Sequence, residues 1–124
     1  MGRLNSGVRP LKKLSHYSNL VAGWANGIPD IHRAWIFGSY STGKARLKSD
    51  LDIAIQIAPY ALLKIDINIF WYRNHSRLQS SLQSLVGSVP VHLEMYHRYH
   101  GSIAYSAINS SGIKPVYKRL RSTA

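Results

Sequence analysis

Cysteine is absent from this chain, and acidic residues are scarce. Without cysteine there is no disulfide, no thiolate zinc site and no cysteine nucleophile, and the absence suits a reducing cytoplasm. Carboxylates are confined to Asp30, Asp50, Asp52, Asp66 and Glu94, against sixteen Lys and Arg, for a formal net charge of +11. A site that needs two or three carboxylates must therefore draw on nearly the whole supply. No apolar stretch approaches the roughly 20 residues of a membrane span. Arg3, Arg9, Lys12 and Lys13 are followed by no continuous apolar run, which argues against a secretory signal.

What is present is one domain's worth of chain, 124 residues with 45% hydrophobic content, close to the globular norm. The expected organisation is a flexible basic lead over 1–10, a single domain over 11–119 and a basic tail over 120–124. Leu11, Leu14, Leu20, Val21 and Trp24 recur at helical spacing, predicting a helix over 11–25 that Asn26-Gly27 ends. Residues 31–37 read as a strand and 38–49 as a loop or short helix. In 50–57 the apolar Leu51, Ile53, Ile55 and Ile57 alternate with the second face, which carries Asp50 and Asp52. A long helix is expected over 61–85, a third strand over 89–96, a short helix over 100–109 and a last strand near Val116-Tyr117. The fold class is then α/β (α+β): a small mixed sheet with flanking helices.

The chemistry concentrates between Phe37 and Ile55. Gly38, Gly43 and Lys44 satisfy the spacing of a phosphate-binding P-loop, but Ala45 stands where the magnesium-ligating hydroxyl is needed, and the next strand follows too soon for a full helix. The better reading is Gly38-Ser39, ten residues, then Asp50-Leu51-Asp52, each half attached to a strand. Two aspartates two apart on a strand project together, and their mutual repulsion calls for cations. Magnesium prefers carboxylate oxygens completed by substrate phosphates and water. Gly38 lets a phosphate approach the backbone, and Ser39 adds a hydroxyl and an amide. A phosphate-holding turn facing a metal-holding carboxylate pair is equipment for nucleotidyl transfer by a two-metal route.

This stretch resembles the minimal nucleotidyltransferases of the DNA polymerase beta superfamily, whose mark is Gly-Ser, a ten-residue spacer, Asp-x-Asp and a hydrophobic strand. Gly43, Ala45, Arg46 and Ser49 also match residues common in that spacer, and Gly112-Ile113 with Pro115-Val116-Tyr117 matches a later segment. The resemblance implies a polymerase beta-like fold, a nucleoside triphosphate (usually ATP) and Mg2+. It also implies an acceptor hydroxyl, which in the small stand-alone members is often on a helical HEPN ribonuclease partner in a toxin–antitoxin pair. Gly38, Ser39, Tyr40 and Arg46 become the nucleotide-binding candidates, and Asp50, Asp52 and Glu94 the catalytic and metal-ligating ones. There are departures. Tyr40 and Thr42 stand where Arg is frequent, and His92 overlays the third aspartate of the family, with Glu94 two residues on and pointing the same way. Either could serve as the third group, or the site could be a weakened one that only binds.

Other residues have ordinary expectations. Lys44 and Lys48 either neutralise triphosphate charge or sit in solvent. Asp30 reads as a turn residue and Asp66 as a solvated helix charge. Trp24, Trp35 and Trp71 belong to the core. The run His97-Arg98-Tyr99-His100 is a polar loop or a phosphate contact. Half of the basic residues lie in 1–13 and 114–124, as solvated ends or as arms for nucleic acid.

Overall fold

Strand alternation builds a four-stranded sheet in the computed structural model, which describes residues 14–46, 48–62, 65–100 and 102–120. The strands are β1 (Ile31–Phe37), β2 (Leu51–Ile57), β3 (Val91–Met95) and the short β4 (Tyr117–Lys118), in the order β3-β2-β1-β4. β1 runs antiparallel to both β2 and β4, while β2 and β3 are parallel. Parallel neighbours need a crossover. Helix α2 (Ile67–Val86) lies within that connection. The remaining helices are α1 (Leu14–Asn26) and α3 (Ser102–Ser111). The mixed sheet with flanking helices matches the fold class expected from the sequence.

The two sheet faces are unequal. One is sealed: Ala34, Ile36, Leu51, Ile53, Ile55, Val91 and Leu93 pack with Tyr17, Val21 and Trp24 of α1 and Phe70, Leu78 and Leu82 of α2. Trp24 donates to Ser81 Oγ at 2.8 Å, so the indole N–H is satisfied within this layer. On the other face Trp35, Phe37 and Ala54 form a smaller buried cluster with Ala104 and Ile108 of α3, flanked by the partly buried Tyr96, Ala107 and Ile113. Ala54 is small, so Trp35 and Tyr96 meet across its strand, with ring centroids 4.2 Å apart.

Several element boundaries differ from expectation. Residues 11–13 lie outside the described residues. The helix expected from residue 61 starts at Ile67, because Asp66 is its N-cap: Oδ1 accepts from the Asn68 N–H at 2.8 Å. Asp66 is thus a cap rather than a charge within the helix. A 3-10 turn, Pro59–Leu62, precedes it. Arg119, counted among the basic residues of an end expected to be solvated or to serve as an arm, instead donates to the carbonyls of Ile31, Ala25, Asn26 and Ile28. It closes the C-terminal end of α1, where carbonyls lack helical partners and a cation is favoured. Trp24 and Trp35 are buried, and Trp71 is partly buried against the core.

Candidate active site

The site forms where β1 ends and β2 and β3 begin. Phe37 pairs with Asp52, and Asp52 with His92, so the end of β1, the start of β2 and the start of β3 lie side by side. Gly38 opens the turn with φ of +74°, a conformation that L side chains rarely adopt. A Cβ there would run into the Asp52 carboxylate, so glycine is required twice over. The turn then closes on itself. Ser41 N–H and Oγ both donate to Gly38 O, at 3.1 and 2.8 Å, and Lys44 N–H donates to Ser39 O at 2.9 Å. Farther along the spacer, Arg46 N–H donates to Ser49 Oγ at 2.7 Å.

Asp50 is exposed just before β2, and Asp52 is half-buried on it, facing away from the sealed core. On β3, His92 Nδ1 lies 3.4 Å from Asp52 Oδ1 and 3.8 Å from Glu94 Oε2. His92 thus stands between the two carboxylates. Burial pushes the Asp52 pKa above its ordinary value; His92 pulls it back, while the charges of Asp50 and Glu94 push it further up. Of the sequence candidates, Gly38, Ser39, Asp50, Asp52 and Glu94 gather at this end of the sheet. Arg46 is exposed on the spacer. Tyr40 turns inward: it is 4% exposed, packs edge-on against Tyr17, and its hydroxyl has no partner.

Among the described residues no three His, Asp or Glu side chains form a ready-made metal cage. The donor chemistry still fits a hard cation. Asp50 and Asp52 supply carboxylate oxygens, and magnesium is commonly held by one or two carboxylates with the remainder from phosphates and water. The imidazole of His92 suits it less well.

Sequence reasoning missed the residues that hold β3 in place. This strand is a sheet edge, and its outer backbone groups bond to α2 side chains. Gln83 Oε1 accepts from Val91 N–H at 2.8 Å, Gln79 Oε1 from Leu93 N–H at 3.1 Å, and His75 Nε2 lies 3.1 Å from Leu93 O. His75, Gln79 and Gln83 recur every four residues, one polar row on a helix face, which was the available signal.

The sequence model of the family described as "Polymerase beta, Nucleotidyltransferase" matches residues 22–113. The chain belongs to the polymerase beta nucleotidyltransferase family. No curated protein matches it. Among solved structures, a toxin–antitoxin with AMP-PNP is similar at 23% identity and a TM-score of 0.58, over 82% of this chain and 73% of that one. A mutant of the toxin–antitoxin MntA-HpeT is similar at 21% identity and a TM-score of 0.58, with the same coverage. A protein described as a minimal nucleotidyltransferase is similar at 21% identity and a TM-score of 0.51, over 77% of this chain and 85% of that one. At these identities the likeness concerns the fold. Of this nucleotidyltransferase domain, β1, the Asp-bearing β2, α2, β3 and α3 fall within the matched span, while α1 begins before it and β4 lies beyond it. Among the described residues no helix is long and apolar enough to cross a membrane.

Proposed function

We propose that this chain is a metal-dependent nucleotidyltransferase that moves a nucleoside monophosphate, AMP from ATP, onto an acceptor hydroxyl. The observation that carries this reading is the apposition of the Gly38 turn and the Asp52 carboxylate, so close that no side chain fits between them. The Gly38-Ser39 backbone and the Ser39 hydroxyl take the phosphate oxygens, and Arg46 offsets their charge. Tyr40 steadies that turn from beneath. Asp50 and Asp52, with Glu94 alongside, would hold Mg2+, which when bound activates the attacking oxygen and steadies the leaving pyrophosphate. The acceptor oxygen bonds to the α-phosphorus, the bond to the β-phosphate oxygen breaks, and pyrophosphate leaves. Glu94 takes the acceptor's proton, with His92 the competing base beside it.

The acceptor in this reading is a hydroxyl of a HEPN-type toxin in the same cytoplasm, with the chain as antitoxin. Two similar folds occur in structures named as toxin–antitoxin, one of them with AMP-PNP, which supports both the partner and the nucleotide. The test incubates the chain with labelled ATP, magnesium and a HEPN-type protein encoded beside it. Label on the partner that chelation abolishes is expected. No transfer to any partner, at concentrations where the two proteins bind, would favour a second reading, a binding module. The position of His92 between Asp52 and Glu94 is the feature that recommends it. Basic ends as nucleic-acid arms remain a separate proposal, and 1–13 and 121–124 lie outside the described residues.

A further inference from the structure

The run His97-Arg98-Tyr99-His100 has no part in the transfer site, yet it borders a cavity of about 320 Å3. That volume lies within the about 300–1,000 Å3 range of small-molecule pockets. Its lining includes Gln56, Ile57, Tyr96, His97, Arg98 and Tyr105. The cavity opens beyond the carboxyl ends of the parallel strands β2 and β3, where open α/β sheets commonly receive ligands. Asp52 is at the opposite end of the same sheet face. Four residues separate Asp52 from Gln56 along β2, so the two places are about 13 Å apart at ~3.3 Å per residue.

The polar groups here are donors. Arg33 Nε donates to Gln56 Oε1 at 2.6 Å, which leaves the Gln56 NH2 as a donor for another partner. The backbone N–H groups of Tyr99 and His100 both donate to His97 Nδ1, at 3.2 Å each. Burial, with His100 beside it, holds the His97 pKa below its ordinary value, so the ring is neutral and carries its proton on Nε2. Arg98 adds a guanidinium, 5.6 Å over the ring of Tyr99. Tyr99 itself is largely exposed. None of the lining residues is acidic, and Asp66, just before Ile67 at the rim, has its carboxylate turned to cap α2. Beside these donors Tyr96 is stacked on Trp35, and Tyr105 packs against it at 37° with ring centroids 4.9 Å apart, so the ring of Tyr105 is the one left for a planar group. Donors for an anion next to a ring for a planar group match one ligand class.

We infer that this cavity is a second, metal-independent site that binds a nucleoside monophosphate, with the phosphate on Arg98 and His97 and the base against Tyr105. It goes beyond the transfer reaction and does not depend on it. The experiment measures AMP binding to the full chain by calorimetry in the presence of EDTA. The Asp50→Asn/Asp52→Asn double variant is run in parallel so that failure of the transfer reading leaves the result interpretable. Binding that survives both conditions is expected. Arg98→Ala, at an exposed position, should weaken it at least about tenfold. Tyr105→Leu should weaken it while leaving the unfolding midpoint near that of the parent. Adenosine alone and inorganic phosphate alone should each compete poorly. Absence of AMP binding overturns the inference, as does binding unaffected by Arg98→Ala or lost in the double Asp variant. Phosphate competing as well as AMP would reduce the cavity to an anion site and overturn the nucleotide assignment.

Discussion

The sealed face of the sheet and the face under α3 divide the work of this molecule. On the sealed face β1, β2 and β3 contribute buried aliphatic side chains, and polar groups such as Trp24 Nε1 find partners inside the layer. The other face has a small apolar centre, Trp35, Phe37 and Ala54 with two α3 residues, and charged groups beyond each end of it. Stability resides mainly on the first face and the proposed chemistry on the second. The division has a cost. Asp52 is half-buried next to two further carboxylates, so its charged form is poorly accommodated by the fold.

The sharpest way to test this division is Asp50→Asn with Asp52→Asn. Transfer should fall to background, while the unfolding midpoint of Asp52→Asn alone should rise. The sign follows from the raised pKa: the fold favours the protonated carboxyl, so stability is lost as pH rises through the folded value. The gain in the Asn variant is therefore largest near neutral pH and shrinks as pH falls into the ordinary carboxylate range. A lowered midpoint near neutral pH would break the comparison. Gly38→Ala comes next and crosses the divide. It strains a positive φ, costing about 1–2 kcal/mol, and pushes on the Asp52 carboxylate, so activity should drop by more than the stability change explains. Arg119→Ala tests the frame behind the sealed face. Loss of its charged hydrogen bonds should cost about 2 kcal/mol, read by urea denaturation, with transfer per folded molecule unchanged. Tyr40→Phe is the smallest. Removing a buried hydroxyl that has no partner should leave stability unchanged or slightly raised.

Much of this was legible in the sequence because alternation and spacing carry it. Period-two patterning placed Leu51, Ile53 and Ile55 on the core side and Asp52 opposite, and Gly-Ser followed by Asp-x-Asp located the turn and the acids. What was not legible required partners distant in sequence. Nothing local to Arg119 announces that it will reach the end of α1, some ninety residues earlier in the chain. Tyr40 follows Gly38 and Ser39, but the 3-10 turn there swings its ring toward Tyr17 instead of toward the spacer's open side. Asp66 was readable as a cap, had the helical spacing of Leu62, Ile65 and Ile69 not suggested a helix already under way. The third carboxylate position stays divided between His92 and Glu94 for a geometric reason. The two share a face, and only β3's register against β2 sets His92 directly beside Asp52.

Ala54 has a consequence of its own. Its methyl group is the gap through which Trp35 and Tyr96 touch, and Tyr96 in turn donates to Asn109 of α3 at 2.9 Å. The side chain at this position acts as a shim that sets the clearance between helix and sheet. A thicker one, Val or Leu, would wedge the rings apart and lift α3 like a hinged lid, changing the access to both ends of the face without altering any group that touches a ligand.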